Sequence, residues 1–128
     1  MFQPLNFRAL GAATLLALVV LGAGLAQAAA PAKGNPAAGK TIFATKCVAC
    51  HKADGSGGVK LTGNPTPNWK DPKVWADPKR KNPEVFMRDC ITNGKIQSGM
   101  VAWGKTGQLK PAQIEDLIAY IHTLAKKK

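Results

Sequence analysis

"KCVACHK", residues 46–52, holds two of the three cysteines and one of the two histidines of a 128-residue chain. Two thiols three positions apart, with a histidine directly after the second, admit three chemistries: a redox-active dithiol, half of a zinc site, or a point of covalent haem attachment. The surrounding sequence decides among them. A structural zinc site takes four ligands, usually as two close pairs, and the remaining candidates, Cys90 and His122, stand 32 residues apart. A thioredoxin-like motif lies between a strand and a helix, whereas here a helical pattern precedes the stretch and a glycine-rich loop follows it. A disulfide across so small a loop stabilises little. Haem attachment accounts for every residue. Two thiols on one helical turn add to two vinyl groups on one edge of a flat macrocycle, and the next imidazole falls under the iron. We therefore expect one covalently bound haem c, with Cys47 and Cys50 as thioether positions and His51 as an iron ligand; Val48 and Ala49 are spacers.

Upstream, residues 9–26 carry no charge, follow a single basic residue, Arg8, and end in alanine-rich sequence. The pattern predicts a secretory signal over residues 1–28, cleaved after residue 28 or 30, and a single domain over residues 29–128. The competing expectation is a retained membrane anchor, since 18 uncharged residues are just enough to cross a bilayer as a helix. Cleavage after Ala28 removes only Arg8 among the basic residues, leaving 17 Lys or Arg against 7 Asp or Glu, a formal charge of +10. That balance favours acidic partners. Nucleic acid is excluded by export, so the expected partners are proteins with acidic docking faces, with an anionic membrane surface as a second option, and the chain is expected to be a monomer.

Downstream, the pattern is all-α with long loops and about three to four helices. Residues 31–36 read as a flexible lead-in, and helical spacing from Ala37 runs through Ile42 and Phe43 into Cys47. About thirty residues rich in Gly, Pro, Asn, Asp and Lys follow, a loop length that in a compact domain usually wraps something functional. Asn82-Pro83-Glu84 announces a helix and Asn93-Gly94 stops it. Pro111 opens the clearest helix, with Ile114, Leu117, Ile118, Ile121 and Leu124 on one face, although Lys110 is a poor cap.

A haem iron ligated by His51 has a second face, for which Met100, Met87 and His122 are candidates. Met87 lies among Val85, Phe86 and Ile91 and reads as core. His122 sits on the flank of the last helix near its end, where a histidine is comfortable at the surface. Met100 lies in a loop between Ser98-Gly99 and Val101-Ala102-Trp103-Gly104 and is the expected sixth ligand, matching the Met/His pair of cytochromes c.

"CVACH", "NGKIQSGMVAWG" and "LKPAQIEDLIAYIHTL", in that order, resemble the class I c-type cytochromes, monohaem and His/Met-ligated, of the bacterial periplasmic type. The resemblance covers the whole of residues 29–128. It implies a small cytochrome c fold in which first and last helices cross, with Gly39, Phe43 and Tyr120 at the crossing. It also implies a proline carbonyl for the haem histidine, from Pro65 or Pro67, and a haem-packing aromatic, for which Trp103 is the best placed of Trp69, Trp75 and Trp103. Val101 stands where the family usually has proline, Lys52 where it often has glycine, and Cys90 lies outside its pattern, reading as a small buried apolar side chain. The implied function is electron transport, not enzymatic catalysis. A periplasmic carrier would cycle one electron between a dehydrogenase or respiratory complex and an oxidase or other acceptor, with Lys46, Lys52 and Lys105 steering the encounter. The alternatives are a membrane-anchored oxidase or dehydrogenase subunit retaining residues 9–26, and a ligand-binding haem protein if Met100 is labile.

Overall fold

The structure, a computed structural model, describes residues 33–126; the expected signal segment lies outside them. Five α-helices follow in chain order: α1 (Pro36–Lys46), α2 (Val48–His51), α3 (Pro72–Trp75), α4 (Pro83–Asn93) and α5 (Pro111–Ala125). Short 3-10 turns at Pro78–Arg80 and Ile96–Ser98 precede and follow α4. There is no strand among the described residues, and one isolated antiparallel bridge joins Lys95 to Met100. The all-α expectation holds, with two of the five helices only four residues long.

Local sequence explains each start. Pro36, Pro72, Pro83 and Pro111 open their helices at a position where the missing N–H has no partner to lose. Asn35, Asp71 and Asn82 supply side-chain oxygens to the free N–H groups of the first turn. The weak cap expected at Lys110 is relieved from inside the helix, because the Gln113 side chain reaches back to accept the Lys110 N–H at 2.9 Å. Gly94, at φ 72°, ends α4 as the sequence predicts.

The expectation of a free lead-in before Ala37 does not hold. Helix α1 begins one residue earlier, and the Asn35 N–H donates to the Asp116 carboxylate on α5 at 2.7 Å. A Cβ on Gly34 would overlap the backbone at Glu115, so this segment lies directly on the last helix.

The core is the crossing of α1 and α5. Ile114, Leu117, Ile118, Ile121 and Leu124, the predicted face, are all buried, with Tyr120 beside them. Each contributes about 2 kcal/mol by leaving water. Phe43 from α1 meets Tyr120 at 5.3 Å between ring centroids and Trp69 at 5.9 Å, each tilted. Helix α4 packs against α5 through Met87 and Ile91, and the pairing is clamped outside by two-point contact of the Arg88 guanidinium with Glu115.

The long loop after His51 is held by hydrogen bonds more than by helix. Asp71 and Asp77 cap α3 and the first 3-10 turn. Lys52 sits at φ 57°, ψ 153°, a region that side-chain-bearing residues rarely adopt and that costs about 1–3 kcal/mol. It terminates α2 at the position where the resembled family often has glycine. Lys52→Gly is therefore expected to stabilise the protein by about 1 kcal/mol after allowing for glycine's freedom in the unfolded chain, while Lys52→Ala leaves stability nearly unchanged. Denaturant unfolding of the two variants side by side checks this, and equal midpoints would show that the residue carries no strain.

Candidate functional site

The site is built where α1 hands over to α2. The chain leaves the first helix at Cys47, φ −119°, and re-enters helix at Val48. Cys47, Cys50 and His51 thereby all reach one apolar cavity of about 380 Å³, within the size range of small-molecule and cofactor sites. Val59, Leu61, Trp69, Val74, Phe86, Ile91, Leu117 and Ile121 give the cavity its apolar character. Among the described residues no group of three or more His, Cys, Asp or Glu is placed to hold a bare metal ion.

Both thiols are free and half-buried. Burial pushes the Cys47 thiol up to about 11, the nearby Lys46 charge opposing it only in part. His51 is 9% exposed, and burial draws its imidazole down from 6.5 to about 4, so the ring is neutral at neutral pH with a lone pair free for a metal. Its Nδ1 is buried and has no hydrogen-bond partner. Pro65 and Pro67 both line the cavity, yet neither carbonyl accepts from His51. The ring instead lies flat on Trp69, centroids 4.6 Å apart and planes 10° from parallel.

Backbone bonds fix the attachment stretch against the following loop. The Gly57 N–H donates to the His51 carbonyl, and the Thr66 hydroxyl donates to the Cys50 carbonyl at 2.8 Å while accepting the Val59 N–H. The Thr66 backbone pairs with Gly58 and Val59 at 2.9 Å each. Sequence reasoning passed over Thr66; the available signal was its place between two prolines.

Met100 lines the cavity. Its loop is closed at the base by two backbone hydrogen bonds with Lys95, both 3.1 Å, and turned by Gly99 in left-handed conformation at φ 81°. Met87, read from sequence as core, is both core and cavity wall. His122 is not part of the wall; it rests on Trp75 at 5.0 Å, with Nε2 3.5 Å from a Glu84 carboxylate oxygen. Trp103 lines the cavity next to Met100, with the Lys46 ammonium 5.0 Å over its ring. Cys90 also faces the cavity and is half-buried, with burial raising its thiol.

Of the three lysines singled out, Lys46 stands at the cavity, while Lys52 and Lys105 are exposed outside its lining. Two cations that sequence did not single out, Arg80 and Lys95, line the cavity and both approach the Phe86 ring, at 4.8 and 5.4 Å. Leu61 and Val101, also in the lining, are 59% and 41% exposed, so the cavity opens to solvent through an apolar rim.

A flat, largely apolar group with carboxylates fits these residues: thiols and a neutral imidazole on one stretch, a thioether from a separate loop, and three cations in the wall. Comparison with known proteins agrees. Residues 36–125 match the cytochrome c family. The chain is 38% identical over 93 residues to the Cbb3-type cytochrome c oxidase subunit FixP of Bradyrhizobium sp. (strain ORS 278), covering 70% of this chain and 28% of that protein. FixP of Bradyrhizobium diazoefficiens is 34% identical over 93 residues, covering 72% and 29%. Cytochrome c6 of Limnospira maxima is 32% identical over 94 residues, covering 73% of this chain and 98% of that protein. The chain thus spans less than a third of the FixP subunits and nearly all of the cytochrome c6. No solved structure matches significantly. With a family match running from the first helix to the last, the chain belongs to the cytochrome c family, whose members carry a covalently bound haem c and act as electron carriers.

Proposed function

We propose that this protein is a soluble periplasmic electron carrier, with residues 1–28 removed on export. The observation that carries the reading is the single cavity reached by Cys47, Cys50, His51 and Met100 together. The Cys47 and Cys50 thiols would form the thioether links, and the neutral His51 imidazole and the Met100 sulfur would hold the iron. Bound haem supplies a one-electron ferric/ferrous couple. The chain's own contribution would be to supply His51 and Met100 as ligands, so that no substrate is admitted, and to surround the couple with the apolar side chains of the cavity. A thioether ligand and burial both favour the reduced form. Arg80 and Lys95, both in the cavity wall, would supply positive charge for the haem carboxylates, and Trp103 would offer an aromatic surface to the macrocycle.

The apolar rim at Leu61 and Val101 is the contact patch for a redox partner. The surplus of lysines steers an acidic partner to it, which raises the encounter rate more than the lifetime of the complex. The near-complete coverage of a cytochrome c6 supports the small-carrier reading. Among the described residues no helix is long and apolar enough to cross a membrane.

Two measurements on the exported protein test the proposal. The mass should equal that of a 100-residue chain cleaved after Ala28, or 98 residues after Ala30, plus one haem. Electron transfer to an acidic partner should slow steadily as ionic strength rises past about 0.1 M, where the screening length is about 10 Å. Retention of residues 9–26 would replace the soluble carrier by an anchored one, and a rate indifferent to salt would remove the lysine steering.

A further inference from the structure

We infer that Trp69 is the positioning residue of the haem histidine: the face of its indole, stacked on the His51 imidazole, fixes the direction in which the ligand plane points about the bond to iron. The inference rests on His51 being that ligand. A histidine that binds a metal through one nitrogen is free to rotate about that bond unless something else holds the ring, and a hydrogen bond from the other nitrogen is the usual restraint. Here Nδ1 has no hydrogen-bond partner, and the two nearby prolines do not supply one. What touches the ring face is Trp69, nearly parallel at 4.6 Å, a separation at which two aromatic rings attract in an offset stack.

A stack positions a ring only if the stacking partner cannot itself move, and Trp69 is held both at its backbone and on the ring faces turned away from the cavity. It is 7% exposed. Its backbone N–H donates to the Gly55 carbonyl at 2.9 Å, and its backbone carbonyl accepts the Trp75 indole N–H at 2.7 Å. Phe43, from the α1–α5 crossing, packs against it at 57°. The indole edge lies so close to Gly55 that a Cβ there would stand 3.3 Å from Trp69 Cε3 and 3.1 Å from Leu124 Cβ. Phe43, Trp69 and His51 form a continuous column, so the helix crossing that defines the fold also sets the angle of the iron ligand. The choice matters electronically because the imidazole plane orients its overlap with the iron orbitals and hence the asymmetry of the unpaired spin in the ferric state.

The test uses the full holoprotein and three variants. Trp69→Phe keeps an aromatic face on His51, Trp69→Leu keeps apolar bulk without one, and Trp75→Phe removes the hydrogen bond to the Trp69 carbonyl while leaving the column in place. Ferric electron paramagnetic resonance and the order of the paramagnetically shifted haem methyl signals report the ligand plane directly, whatever the electron-transfer activity. We expect Trp69→Leu to change the g-value anisotropy and reorder the methyl shifts, Trp69→Phe to keep the wild-type pattern, and Trp75→Phe to lie between. Wild-type order in Trp69→Leu, or an equal change in Trp69→Phe and Trp69→Leu, overturns the inference. The wild-type spectrum separates this failure from that of the underlying reading, since a protein lacking a low-spin His/Met signature would refute the ligand assignment before any variant is compared. If Trp69→Leu does not accumulate, the Phe and Trp75 variants still decide: a pattern in Trp69→Phe as far from wild type as a free-rotating imidazole gives is incompatible with positioning by stacking.

Discussion

Met100→Ala is expected to abolish the weak long-wavelength sulfur-to-iron absorption of the oxidised protein, to let carbon monoxide bind the reduced one, and to lower the reduction potential by roughly 0.2 V, about a quarter of the ~0.8 V range that axial ligation commands. The substitution is clean because the loop does not depend on the side chain. Two backbone bonds to Lys95 close it, Gly99 turns it, and Leu61 lies against Gly99, where a Cβ would stand 3.1 Å from the Leu61 Cβ. Removing the thioether therefore opens a coordination position without unravelling its support. Met87 makes the comparison necessary, since it is the second thioether in the cavity wall. Met87→Leu, close in volume and on α4, should keep all three wild-type signatures at a cost under about 1.5 kcal/mol in stability. If Met87→Leu loses the band and Met100→Ala keeps it, the sixth ligand is Met87. Val101 enters here as well. It stands where the family usually has proline, and with 41% of its surface exposed it leaves the segment after Met100 with a free N–H and a freer backbone. A wild-type protein that slowly binds carbon monoxide would place the lability in this residue, and Val101→Pro should then suppress it.

What could be read from the sequence was what repeats locally or is chemically rare. The buried face of α5 is spelled out by its 3.6-residue period, and α4 is bracketed by Asn82-Pro83 and Asn93-Gly94 because caps and stops act within a turn of where they are written. Two cysteines and a histidine in five residues have few chemical uses. What the sequence hid depends on distance. Asn35 looks like the end of a loose lead-in until Asp116, 81 positions away, is found accepting its N–H. Arg80 and Lys95 are ordinary surface cations until folding puts both beside Phe86. The departure at Lys52 was visible as a missing glycine, but its backbone strain is a property of φ and ψ and has no side-chain signature. Helix α3 and the 3-10 turn after it were missed for another reason: Asp71-Pro72 and Asp77-Pro78 are fair start signals, but neither is followed by enough periodic sequence to outweigh the surrounding glycine, proline and lysine.

Gly39→Val is expected to destabilise the holoprotein by about 4 kcal/mol, lowering the melting temperature by about 20 °C in a domain of this size. Two opposing effects meet at this residue. Glycine inside a helix costs about 0.5–1 kcal/mol relative to alanine, so α1 would form more readily with a side chain here. The crossing forbids it. A Cβ on Gly39 would overlap the Asp116 carbonyl oxygen and stand 2.9 Å from the Tyr120 Cβ, and the first of these is backbone that cannot rotate away. Relieving the overlap means separating α1 from α5, which loosens Phe43 from Tyr120 one turn further along and, through Phe43, the Trp69–His51 stack. The loss from parting a buried helix pair exceeds the propensity gain several-fold, so even Gly39→Ala should destabilise, against its helix propensity. Lys40→Ala, one position on and exposed, provides the reference and should change stability by less than about 0.5 kcal/mol. Thermal unfolding of the three variants, followed by the haem absorption and by the far-ultraviolet helix signal together, separates the possibilities. A Gly39→Ala protein as stable as Lys40→Ala would mean that α1 and α5 tolerate greater separation than their close approach implies, and that His51 is not tied to the crossing.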